Sequence, residues 1–129
     1  MAAATALLAG GALATATSAS ATTYDHTYVI PGATLYVIEH GDVFILCDTA
    51  ADGLAPRTEV VETLPSGDVV VKYQFAASGG NGTCVRHSAA EGGVYDLGEG
   101  DTIGGSLWVG PGEESAGSHL IFYSFVNDH

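Results

Sequence analysis

From residue 24 onward, apolar and polar positions alternate in short runs, each closed by glycine, proline or aspartate. That is the pattern of β-strands joined by tight turns. A first run, 24–30, stops at Pro31-Gly32. A second, 34–40, passes through Gly41-Asp42, read as a hairpin turn, into a third at 43–48. Val43-Phe44-Ile45-Leu46-Cys47 is apolar on both faces, so this strand is expected to be central and covered on each side. Residues 49–56 read as a loop. Runs 57–64 and 68–76 then form a hairpin around Pro65-Ser66-Gly67. In the second of these, Val69, Val71, Tyr73 and Phe75 alternate with Val70, Lys72 and Gln74, which predicts one buried face along the whole strand.

A flexible segment, 78–82, precedes a strand at 83–88, with Asn81-Gly82 read as a hairpin turn more than as a glycosylation acceptor. A short strand at 94–97 follows. Another at 102–109 is interrupted by Gly104-Gly105, read as a bulge or bend. Residues 111–118 are a loop, and 119–126 closes the chain. Helix signals are nearly absent. About eight or nine strands at regular spacing predict an all-β fold, a single antiparallel β-sandwich, with a small β-barrel as the alternative.

Ahead of these runs, residues 1–21 carry no charge and end on Ala19-Ser20-Ala21, the apolar stretch and small-x-small ending of a secretory signal peptide. The first basic residue is Arg57, so the usual basic n-region is missing, as expected if Met1 is an internal start. A retained anchor and a disordered Ala/Thr arm are the competing readings. The apolar part, about residues 2–16, is shorter than the ~20 residues a spanning helix needs. The expected organisation is a signal peptide at 1–21 and one domain at 22–129.

Charge narrows the partners. Fifteen acids against three bases leave a formal net charge of −12. That excludes nucleic acid, whose affinity comes from basic side chains on phosphates, and argues against anionic membrane surfaces. Cys47 and Cys84 are the only cysteines, and in an exported chain they are expected to pair. No Cys-x-x-Cys or nearby His-x-His spacing supports a thiol metal site.

The segment Gly41-Asp42…Cys47-Asp48-Thr49-Ala50-Ala51-Asp52-Gly53 resembles small secreted proteins of high-GC Gram-positive bacteria (actinobacteria), in which a Gly-Asp turn, a strand and a Cys-Asp-Thr-x-Ala-Asp-Gly loop recur. The resemblance covers about a dozen residues and implies a secreted, disulfide-bonded β-domain. It carries no activity over to individual positions.

The same loop offers a cation reading. With Asp48 at position 1, Asp52 falls at 5, Gly53 at 6 and Glu59 at 12, matching a calcium loop at those places. Ala50 at 3 and Pro56 at 9 do not fit, and the alternative is an Asp-capped loop in which both aspartates accept backbone N–H bonds. No cofactor other than calcium is implied. The histidines, His26, His40, His87, His119 and His129, show no i, i+2 or i, i+4 pair. No Gly-x-Ser-x-Gly is present, and Glu113-Glu114 and Glu99…Asp101 lie in Gly-rich loops, so no catalytic residue is assigned. Most aromatics are expected in the core, with Tyr24, Tyr28 and Tyr95 as candidates for an exposed face. The expected function is a non-enzymatic binding or inhibitor-like domain for an extracellular glycan or protein. The alternative is a small extracellular metal-dependent hydrolase, which requires His40, His87 or His119 to converge with two carboxylates.

Overall fold

The computed structural model describes residues 21–111 and 118–128; the proposed leader therefore lies almost wholly outside the described residues, as do His129, Glu113 and Glu114. Eight strands form: β1 (His26–Ile30), β2 (Ala33–Ile38), β3 (Val43–Asp48), β4 (Pro56–Thr63), β5 (Val69–Ala76), β6 (Cys84–His87), β7 (Thr102–Val109) and β8 (Ser118–Val126). Their ladders are all antiparallel and make two four-stranded sheets, ordered β1-β2-β3-β6 and β5-β4-β7-β8. Both sheets keep open edges, so the fold is a sandwich and not a closed barrel.

The registers define the core. Tyr28, Leu35, Leu46 and Val85 lie side by side across the inner face of the first sheet. Tyr73, Val60, Gly105 and Tyr123 do the same across the second. Aromatic contacts stitch the layers together: Tyr28 stacks on Tyr123 with centroids 4.8 Å apart, and His26 stacks on Phe125 at 4.4 Å. Phe44, Leu35, Leu46, Ile103 and Leu107 are fully buried, each contributing about 1.5–3 kcal/mol over the exposed state. As expected, β3 is an interior strand, although its outer face is covered only in part, with Ile45 half-buried. The outer face of the first sheet carries the Cys47–Cys84 disulfide, which joins directly opposed positions of β3 and β6.

Four expectations are corrected. Residues 94–97 do not form a strand; two single-turn 3₁₀ helices, η1 (Ala89–Glu91) and η2 (Gly93–Tyr95), occupy this stretch. Gly92 and Gly93 both take positive φ there, which breaks an extended run before it can pair. Gly104-Gly105 is not a bulge: β7 runs through it with β4 regularly paired. Gly105 instead admits Tyr123 beneath the sheet, since a Cβ would meet the Glu59 carbonyl and lie 2.6 Å from the Tyr123 hydroxyl. The Asn81-Gly82 turn does not close a hairpin but carries the chain from β5 in one sheet to β6 in the other. β5 also departs from simple alternation. A bulge opposite Val60/Val61 inserts Lys72 between the ladder partners, so Tyr73 and Phe75 face inward while Val69 and Val71 face out.

Candidate functional site

That one-residue slip builds the most distinctive surface of the molecule. Across the outer face of the second sheet the registers align three rows: Val69, Thr63, Thr102 and Val126; Val71, Val61, Gly104 and Ser124; and Gln74, Glu59, Ser106 and Phe122. A fourth row, Ala76, Arg57 and Trp108, follows. On β7 the floor is small, Thr102, Gly104 and Ser106, whereas the flanking strands carry the bulk. The result is a trench of about 490 Å³ running along β7, walled by Val61, Val69 and Phe122. Its walls are roughly 10 Å apart, two strand spacings. Phe122 is 71% exposed, Val69 64% and Val71 58%. Trp108, in the fourth row, is buried and donates its indole N–H to the Pro111 carbonyl at 3.1 Å, while Arg57 Nε donates to the Gly110 carbonyl at 3.1 Å.

Inside the trench, Glu59 accepts a short hydrogen bond from the Gln74 amide. Below the floor the Tyr123 hydroxyl donates to the Glu59 carbonyl at 3.0 Å and lies 3.0 Å from Thr58 Oγ1. Burial pushes the Tyr123 phenol up, so it stays a neutral donor and pins the floor.

The open end, beyond Val69, Thr102 and Val126, is acidic. Asp68, Glu99, Asp101 and Asp128 follow or precede the strand ends there, and Asp68, Glu99 and Asp128 are exposed. Behind them lies a buried carboxylate network. Asp42, 3% exposed and at φ +50°, accepts from the Leu97 amide at 2.8 Å and from Asn127 Nδ2 at 2.9 Å. Burial is the main reason its carboxyl is held above the usual range. Glu62 accepts from the Gly98 amide and pairs with Lys72 Nζ at 3.0 Å. Burial alone would raise Glu62, but the Gly98 N–H and the Lys72 ammonium outweigh it and hold the carboxyl low. Glu39 behaves alike: burial opposes ionisation, yet His26 Nε2, donating at 2.5 Å, and Asp128 hold it low.

The residues singled out from sequence scatter around this frame. Asp48 and Asp52 accept from the backbone amides of Ala50 (3.1 Å) and Leu54 (2.9 Å), the turn-capping alternative to calcium. Glu59 lies on the outer face of the second sheet, while Asp48 ends β3 in the first. Among the described residues no three His, Cys, Asp or Glu side chains form a metal-holding group. His87 Nδ1 donates to both oxygens of Glu91 at 3.1 Å, with its ring stacked on Tyr95 at 4.6 Å. His40 and His119 are exposed elsewhere. Of the candidate tyrosines, Tyr28 and Tyr95 pack against the core and Tyr24 stacks on Tyr36 at 4.2 Å.

A second concavity of about 460 Å³ lies between the loop after β3 and the segment after β5, lined by Asp48, Leu54, Ser78 and Asn81 among small residues. It lacks an exposed aromatic. Phe122 and the outward valines, by contrast, had no separate mark in the sequence beyond three consecutive valines that fit either strand phase. The chain matches no protein-family model, curated protein or solved structure.

Proposed function

We propose that the chain is a non-enzymatic binding domain that works outside the cytoplasm and takes its ligand in the β7 trench. The observation that carries this reading is Phe122, a phenyl ring 71% exposed on a concave apolar face. Contiguous apolar surface of this kind, rimmed by polar side chains, is the usual signature of an interaction site. Thr63 and Ser124, on the strands either side of β7, supply polar side chains beside it. Export is supported by the leader, by the disulfide and by the resemblance of the 41–53 segment to secreted proteins. No helix among the described residues is long and apolar enough to cross a membrane.

The test is a comparative pull-down from the producer's culture supernatant and cell wall with the parent protein and with Phe122→Ser/Val71→Ser. Both positions face solvent, so the variant is expected to fold. Material retained by the parent and released by the variant supports the trench; equal retention by both sinks it.

A further inference from the structure

Resting on that reading, we infer that the ligand is an extended, basic polypeptide segment, with aliphatic or aromatic side chains in the trench and lysine or arginine at its mouth. Three observations converge. The trench follows a strand direction, and its floor from Thr102 to Ser106 is free of bulky side chains, so an extended main chain lies along it at the spacing between packed β-layers. Beyond Phe122 the next row is Trp108 and Arg57, whereas at the opposite strand ends Asp68 and Glu99 are exposed and Asp101 and Asp128 are turned to Glu62 and Glu39. The trench thus combines apolar walls at Phe122, Val61 and Val69 with the Glu59 carboxylate inside it and exposed acids, Asp68 and Glu99, at one end.

Charge selects among occupants. Lys72, the one lysine of the chain, is turned to Glu62, so no ammonium offsets the acids at the mouth. A second copy would bring −12 against −12, and an anionic glycan would meet the same repulsion. A neutral glycan could donate hydroxyl hydrogen bonds to the acids but would gain no charge attraction from them. A basic segment gains at both ends, from the apolar walls and from the carboxylates, and its association is steered by the field of the whole domain.

The experiment titrates the full chain with a synthetic peptide of two lysines followed by alternating valine and leucine, by calorimetry and backbone-amide NMR. Controls are oligolysine, the same peptide with glutamine for lysine, cellohexaose and chitohexaose. The peptide is expected to shift amides of β4, β7 and β8, and to bind about tenfold more weakly to Phe122→Ser and to Ser124→Lys. Raised salt is expected to weaken it further through screening. Oligolysine binding as tightly as the peptide would overturn the inference, as would an affinity indifferent to Phe122→Ser. So would the glutamine peptide or a glycan binding equally well at the trench, but these two results would keep the trench as the site and replace only the ligand class. If no probe moves the trench amides the inference fails. If the Phe122→Ser/Val71→Ser variant also retains everything in the pull-down, the trench reading fails with it.

Discussion

At the scale of single residues, the structure rests on a few side chains whose environment differs sharply from their type. Asp42 sits at positive φ with its carboxylate buried between two donors, the Leu97 amide and the Asn127 side-chain amide. Asn tolerates the same backbone, so Asp42→Asn isolates the carboxylate: its amide N–H₂ would face a donor, and denaturant unfolding is expected to show a loss of about 1–3 kcal/mol. Tyr73 is the opposite case. Its hydroxyl is buried without a hydrogen-bond partner among the described residues, so Tyr73→Phe is expected to leave stability unchanged or raise it by up to about 1 kcal/mol, measured in the same way. Of these environments only the Gly41-Asp42 turn is legible in the sequence. The burial of Asp42 is not, because Leu97 and Asn127 reach it from far along the chain.

At the scale of elements, the bulge in β5 decides more than any strand boundary. Lys72 fills it and points to Glu62, so Lys72→Ala would leave a buried carboxylate without its ammonium. A loss of about 3 kcal/mol is expected in a thermal or denaturant melt, together with line broadening of trench amides if the bulge relaxes. Alternation by itself placed Val69 and Val71 on the face of Tyr73 and Phe75, since a period of two says nothing about an inserted residue. The bulge also blunts β5 as a template for edge-to-edge pairing, with Lys72 as an inward-pointing charge. Between β3 and β6, the disulfide closes a separation of 37 residues, and its reduction is expected to cost about 4 kcal/mol in the chain-entropy model, seen as a lower Tm with reductant. Millimolar calcium is expected to leave that Tm unchanged, because the Asp48 and Asp52 carboxylates already serve backbone amides.

For the whole molecule, the carboxylates set the pH response. Glu39 and Glu62 have folded-state pKa values below their ordinary range, so their contribution is present above about pH 4 and is lost as pH falls through the folded values. Asp42, raised by burial, works the other way: it favours the fold when protonated and loses that contribution as pH rises. An acid limb in ΔG of unfolding is therefore expected, flattened by Glu62→Gln and steepened by Asp42→Asn; a limb unchanged in both variants would contradict the assignment. What the sequence determined alone was local: where chain runs extend, where Gly and Asp turn them, that the two cysteines have only each other to pair with in the chain, and that acids outnumber bases fifteen to three. Tertiary pairing decided which side of each sheet a residue faces, and so whether Phe122 and two valines are core or binding surface. The physical reason is that strand periodicity is a nearest-neighbour property, whereas the face a side chain takes depends on the register with partners distant in sequence, and one inserted residue reverses it.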